Sequence, residues 1–224
     1  MKALKIEMVH DVVCSWCPIG YANLKQALSN LVIDADIYFL PSELNPDMGP
    51  NGEGIEEHLG RRNNWSQSQL KDYRVHLVAV AEQAGVAMNF SKRTHYYNSN
   101  KAHRLIHWSE AYNRQQAMNE LLIDAYFKHG HDISNTQVLL DLAEKLGLHR
   151  AMTEYAITSD EVNHQLLLKQ KRVQQLGLTS VPAFIFNDRS LVSGSNSVEY
   201  FEQAILNLTN TTQPDLMFQA KPPN

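Results

Sequence analysis

The sequence predicts an α/β fold: one small sheet built from both ends of the chain and interrupted by a large all-helical insertion. Three observations carry this expectation. Apolar and polar residues alternate at the start of the chain, β-forming residues return near its end, and about 110 residues between them carry helical stripes.

The first strand starts almost at once, because Leu4, Ile6 and Met8 alternate with Lys5 and Glu7. A short helix follows over about Pro18 to Ser29, with Leu24 and Leu28 one turn apart. Ala35 to Leu40 (ADIYFL) is rich in β-formers and makes a second strand. Pro41 to Gly54 reads as loop, since it holds Pro41, Pro46, Pro50 and three glycines.

The middle of the chain is helical. Ser66 and Gln69 form a capping box ahead of Leu70, Tyr73, Leu77 and Ala84, and Gly85 stops that run. Ala102, Leu105, Ile106, Ser109 and Tyr112 share a second face, whose start Asn100 caps if that end of the helix is solvated. Met118, Leu121, Leu122, Ala125 and Tyr126 share a third. Val138, Leu139, Leu142 and Leu146 form a fourth, closed by Gly147. A shorter helix covers Arg150 to Ile157. Asp160 caps the next, whose Val162, Leu166, Val173 and Leu176 lead to Gly177. Stripes of this kind are packing faces.

Near the end the period changes. Ala183 to Phe186 (AFIF) and Leu191 to Ser193 read as two strands around an Asn187-Asp188 turn. Val198, Phe201, Ala204, Ile205 and Leu208 make a last helix, and a polar, proline-containing tail begins at Thr209.

Composition narrows the function. The 224 residues are 43% hydrophobic and 20% charged, with net charge −4, so no basic footprint points to nucleic acid. No apolar run approaches the roughly 18 residues that cross a bilayer, so no membrane partner is expected. The opening MKALKIEMVHDVV is short and charged for a secretory h-region, which gives a cytoplasmic expectation. In a reducing compartment, paired cysteines serve catalysis or metal binding more often than they form a staple. Oligomeric state is left open.

Both cysteines of the chain, Cys14 and Cys17, lie in DVVCSWCPIG. A redox dithiol, half a metal site, a structural disulfide and coincidence are the four readings. With Pro18 in the first turn of the helix, Cys14 sits at its N-terminus, where free N–H groups and the helix dipole favour a thiolate. Such a setting lowers a thiol from roughly 8.5 to near or below neutrality. The Cys14 sulfur is expected to be ionised and accessible. Cys17, one turn on, is expected to be more buried and less acidic, and close enough to attack a mixed disulfide on Cys14. A structural zinc site needs four ligands. His103, His107, His129 and His131 have no C2H2 spacing to the cysteines, so no metal is expected.

DVVCSWCPIG after an N-terminal strand, a helical block, then GLTSVPAFIFND and VSG, resembles the DsbA-like thioredoxin-fold oxidoreductases. SELNP at 42–46, SNKAHRLIHW at 99–108 and AYFKHGHDIS at 125–134 are similar to their cytoplasmic FrnE-like branch. The resemblance extends to 2-hydroxychromene-2-carboxylate isomerases and kappa-class glutathione transferases. It implies a thioredoxin-like fold in which residues 1–45 and 160–208 form the two parts of one domain. Residues 46–159 form the inserted helical domain, and 209–224 the tail.

The resemblance also implies site residues. Val181-Pro182 takes the place of a cis-proline beside the dithiol, and the Val181 backbone would bind an extended substrate segment. His103 and Arg104 would face a cleft, although the residues themselves also allow a solvated helix end. Trp16 offers an apolar contact to substrate. Asp11 either relays protons to Cys17 or caps the turn after the strand, and His10 has a weaker version of the same choice. Tyr96, Tyr97 and Trp108 read as packing. Three positions depart from the common pattern. Ser15-Trp16 lies between the cysteines where proline is frequent. Ser180 precedes Val181 in place of glycine, and Ser195-Asn196 follows Gly194 in place of Ala-Gln.

The leading expectation is therefore a thiol–disulfide oxidoreductase acting on disulfide- or thiol-containing proteins or small molecules. Cys14 is the nucleophile and Cys17 the resolving thiol. The redox direction stays open. No cofactor is expected beyond the dithiol itself, with glutathione a candidate co-substrate. A glutathione-dependent isomerase or transferase and a non-catalytic holdase chaperone are the alternatives.

Overall fold

The strand at the start of the chain is the hub of the sheet. A computed structural model of the protein describes residues 3–210. In it β1 spans Leu4–His10, and six of these seven residues are buried, as expected of a strand covered on both faces. Helix α1 covers Trp16–Asn30 and buries Cys17, Ile19, Tyr21, Leu24, Ala27 and Leu28. β2, Ala35–Pro41, runs parallel to β1 with Phe39 opposite Met8.

Beyond β2 the loop ends in a two-residue strand, β3 (Glu53–Gly54), and a helix, α2 (Ile55–Asn63), neither of which the sequence pattern predicts. Only Ile55 and His58 of α2 are buried, too few to write a stripe. In α3 (Gln67–Gln83) both arms of the Ser66–Gln69 capping box form. β4 (His95–Tyr96) pairs antiparallel with β3.

Next come α4 (Asn100–Ser109) with a 3-10 turn to Tyr112, and α5 (Gln115–Ile123) with a π-helical turn over Asp124–Lys128. α6 (Thr136–Lys145), α7 (Arg150–Thr158) and α8 (Asp160–Gln175) complete the block. Two expected caps are corrected. Ser159 caps α8 in place of Asp160, because its Oγ accepts the N–H groups of Glu161 and Val162 at 3.1 and 3.4 Å. Asn100 is the first residue of α4, and its side chain instead donates to Glu43 and accepts from Arg104.

The chain then returns to the sheet through β5 (Ala183–Phe186) and β6 (Ser190–Ser193). Asn187 and Asp188 both have positive φ, 49° and 59°, the turn geometry that suits a tight hairpin. The last helix, α9 (Val198–Asn210), takes in Thr209 and Asn210, two residues expected in the tail. The rest of the expected tail, 211–224, lies outside the described residues.

The chain folds as two compact units, one reaching to Ser42 and resuming at Leu168, the other Glu43–Leu167. In the first unit the sheet order is β2-β1-β5-β6, with β5 antiparallel to both its neighbours. One face packs Val9, Leu40, Ala183 and Ile185 with Val173 of α8. On the other, the Tyr21 ring of α1 lies 5.8 Å from Phe39 and the Phe201 ring of α9 lies 5.0 Å from Phe184. Arg172 joins Glu7 at 2.6 Å and Asp188 at 2.8 Å, and Lys5 reaches Asp188 at 2.9 Å, which ties α8 and the hairpin turn to β1.

The helical unit buries Leu77, Leu105, Leu122 and Leu139 in its core, and an arginine among aromatic rings beside them. Arg93 is 2% exposed, and its guanidinium carbon lies 4.7 Å from the ring centroids of both Tyr126 and Phe127. Tyr96 and Phe90 stand at 5.1 and 5.5 Å. Aromatic faces attract such a weakly hydrated cation.

Candidate active site

β1 ends at His10, and the next residues wind directly into α1. Asp11 accepts twice in that turn: its Oδ1 from the Val13 N–H at 3.3 Å and its carbonyl from the Cys14 N–H at 3.1 Å. The Cys14 carbonyl accepts from Cys17 N–H at 3.2 Å. Ser15 holds the N-cap position with helical dihedrals and no side-chain cap bond. The backbone N–H groups of Trp16 and Cys17 also lie close enough to the sulfur of Cys14 to favour its charged form.

These contacts separate the two thiols. A hydrogen bond from the Cys17 thiol is the largest influence on Cys14 and lowers its pKa. Burial opposes it, the Trp16 and Cys17 amides lower the pKa further, and the Asp11 carboxylate raises it; the balance is a depressed pKa. Cys17 is pushed well above the ordinary thiol value, first by burial, then by donating to Cys14 and facing its charge. The helix terminus thus contributes, but the second cysteine contributes more, which corrects the weighting drawn from the sequence.

Exposure also needs a correction. Cys17 is the more buried, at 2%, but Cys14 itself is only 7% exposed. The cysteine expected to be accessible is thus a buried residue, with the Val181 carbonyl oxygen 3.9 Å from its sulfur. Both cysteines are free thiols.

The Val181–Pro182 peptide bond is cis, as the resemblance implies. The Cys14 Sγ stands 3.9 Å from the Val181 carbonyl oxygen. The Pro182 carbonyl is occupied by the Gly194 N–H at 2.8 Å, whereas the Val181 N–H has no acceptor among the described residues. Asn196, one of the positions that depart from the family pattern, donates to the carbonyls of Ser193 and Gly194 at 2.8 and 3.2 Å. Asn23 of α1 donates to the Asn196 carbonyl at 2.8 Å.

The structure therefore gathers Cys14, Cys17, Asp11, Val181 and Pro182, with half-buried Trp16 as the first residue of α1. Asp11 is fully buried, and His10 packs its ring 5.0 Å from Phe39. His103 is a buried residue of α4 in the helical unit. The Trp108 ring packs tilted against Tyr112 with centroids 4.8 Å apart, and Tyr96 packs on Arg93. Of the histidines weighed as ligands, His129 pairs with Asp124 at 3.2 Å and His107 meets Gln165 at 3.1 Å. Sequence reasoning passed over Gly20, although a glycine inside a predicted helix was signal enough to mark it.

Comparisons with known proteins identify the fold and the family. The model of the DSBA-like thioredoxin domain matches residues 5–206. Uncharacterized protein YwbO of Bacillus subtilis (strain 168) is 26% identical over 203 residues, covering 89% of this chain and 94% of that protein. A probable DsbA oxidoreductase from Streptomyces coelicolor superposes with a TM-score of 0.87 at 23% identity, over 97% of this chain and 94% of its own. The cytosolic disulfide reductase DsbM from Pseudomonas aeruginosa, solved with GSH, does so at 0.64 and 18% identity, over 92% and 98%. An α/β thioredoxin fold with a helical insertion, matched over almost its full length, makes this chain a member of the DsbA-like thioredoxin domain family.

Proposed function

We propose that this protein is a thiol–disulfide oxidoreductase, with Cys14 as nucleophile and Cys17 as resolving thiol. The observation that carries the proposal is the placement of Cys14 and Cys17 at the start of α1, with the Cys14 sulfur 3.9 Å from the Val181 carbonyl oxygen; the contact between the two thiols favours charge on Cys14 and disfavours it on Cys17. In the reducing direction the Cys14 thiolate attacks one sulfur of a substrate disulfide. A mixed disulfide forms, and the other substrate sulfur leaves as a thiolate and takes up a proton. Cys17 then gives its proton to the Asp11 carboxylate and attacks the Cys14 sulfur. The Cys14–Cys17 disulfide forms and the second substrate thiol is released, so two electrons pass from the dithiol to the substrate. The oxidising direction is the same sequence reversed.

Substrate binding fits the surroundings. An extended protein or peptide segment can donate to the Val181 carbonyl and accept from its unused N–H, with Trp16 beside the sulfur as an apolar contact. Two molecules of glutathione can return the disulfide to the dithiol, so glutathione is the proposed co-substrate and no other cofactor is invoked. A cytosolic fold neighbour supports a cytoplasmic setting.

The test is paired substitution. Cys14→Ser should abolish both insulin-type disulfide reduction and dithiol oxidation, while Cys17→Ser should accumulate mixed disulfides visible by mass. Full activity in Cys14→Ser contradicts the proposal. Glutathione binding and isomerase activity that survive removal of both cysteines would favour the glutathione-dependent alternative.

A further inference from the structure

We propose that Gly20 is a positioning residue, whose missing side chain sets how closely the dithiol helix approaches the Pro182 loop. The inference rests on the thiol–disulfide reading above. Gly20 lies in α1, one turn past Cys17. A Cβ at this position would stand 3.1 Å from Pro182 Cγ, 3.2 Å from Phe184 Cζ and 3.2 Å from Ser195 Cα. Three separate pieces of chain thus converge on one spot: the cis-proline, β5 and the loop after β6.

None of the three can easily turn away. The Pro182 contact is a ring atom, the Ser195 contact is backbone, and Phe184 is fully buried against Phe201. Relief has to come from a shift of α1 by a few tenths of an ångström, and α1 carries the sulfurs with it. Elsewhere in a helix interior, glycine is the poorer choice than alanine. Gly60 of α2 is such a position, since a Cβ there would meet nothing nearer than 3.7 Å.

The displacement acts on one relationship and spares another. The groups that lower the Cys14 pKa, namely the Cys17 thiol and the Trp16 and Cys17 amides, belong to the start of α1 and move with it. The Val181 carbonyl and N–H, 3.9 Å away in the case of the oxygen, belong to the opposing loop and do not. A substrate strand seated on Val181 would then present its disulfide out of line with Cys14. A small disulfide that needs no such seat would be unaffected.

The experiment compares reduced wild type, Gly20→Ala and Gly60→Ala. Each is mixed with a small aromatic disulfide, dithionitrobenzoate, and with an unfolded polypeptide held by a single disulfide. Gly20→Ala should lose about tenfold in rate towards the polypeptide, with the dithionitrobenzoate rate and the Cys14 titration unchanged. Gly60→Ala should match wild type in both. Should Gly20→Ala fail to fold, the same comparison is made in Gly20→Ala/Phe184→Leu, where the ring tip is withdrawn and the same split is expected. Equal rates in wild type and Gly20→Ala overturn the inference, as does an equal fall towards both substrates. Wild type inactive towards both contradicts the oxidoreductase reading itself.

Discussion

The Cys14 sulfur and the Val181 carbonyl oxygen lie 3.9 Å apart although 167 positions separate them in the chain. The fold brings them together because β1 pairs antiparallel with β5, so that the turn leaving one strand and the loop entering the other lie at the same end of the sheet. Around this contact, the thiol of Cys17 decides how acidic Cys14 becomes.

Removing that donor should therefore be visible in the titration of Cys14. Cys17→Ala raises the Cys14 pKa towards the ordinary thiol value, whereas Cys17→Ser, whose hydroxyl still donates, keeps it closer to wild type. Thiolate absorbance against pH, recorded on both variants, checks the order. Identical curves would mean that the amides alone hold the thiolate.

Asp11 makes two opposite contributions. Its charge raises the pKa of both thiols, and in the proposed reaction it takes the proton of Cys17. Asp11→Asn keeps the turn, because the amide oxygen can still accept from Val13 N–H. It should lower both thiol pKa values and yet slow the second step by roughly tenfold to a hundredfold. Rapid-mixing kinetics separate the two. A second step that keeps pace or quickens leaves Asp11 as a turn cap only.

Local signals were read well from the sequence. The Ser66–Gln69 capping box, the Asn187-Asp188 hairpin and the central strand form where pattern placed them. What escaped depends on distant partners. The two-residue ladder of Glu53 and Tyr96 joins positions with no period of their own. α2 exposes Arg61, Arg62 and both glutamates of its first turn, so it carries no apolar stripe. At the site, spacing identified the thiols and their order. It gave no sign that Cys17 outweighs the helix terminus, that Cys14 is so enclosed, or that three elements close on Gly20. Each of those is a property of packing between parts of the chain far apart in sequence.

The helical unit has an acid-sensitive contact. Arg61 donates to both oxygens of Glu53 and His58 meets Oε2 at 2.6 Å, holding the Glu53 carboxyl at about 2. A folded pKa below the unfolded one gives stability that is present above about 4.3 and lost as pH falls through the folded value. Denaturant midpoints for wild type should therefore drop across that acid window. Glu53→Gln should start lower at neutral pH and lose less on acidification, and parallel curves would contradict the assignment.

Val32 occupies a place that suits glycine. It follows the C-cap Leu31 with φ of 54°, its N–H bonds Ser29 and that of Ile33 bonds Leu28, and the side chain is 91% exposed. A β-branched residue is strained there and has no packing to lose. Val32→Asn should stabilise the protein by about 1 kcal/mol, or roughly 2–4 °C in Tm. An unchanged or lower Tm by calorimetry would refute this.

The most direct test of the whole account asks which sulfur ionises first. Reduced protein is alkylated with iodoacetamide for short, fixed times across a pH series, and each cysteine is quantified by peptide mass. Modification of Cys14 should set in below the ordinary thiol pKa, with Cys17 protected until far more alkaline conditions. Cys17 reacting first, or both thiols reacting together as ordinary cysteines, would contradict it.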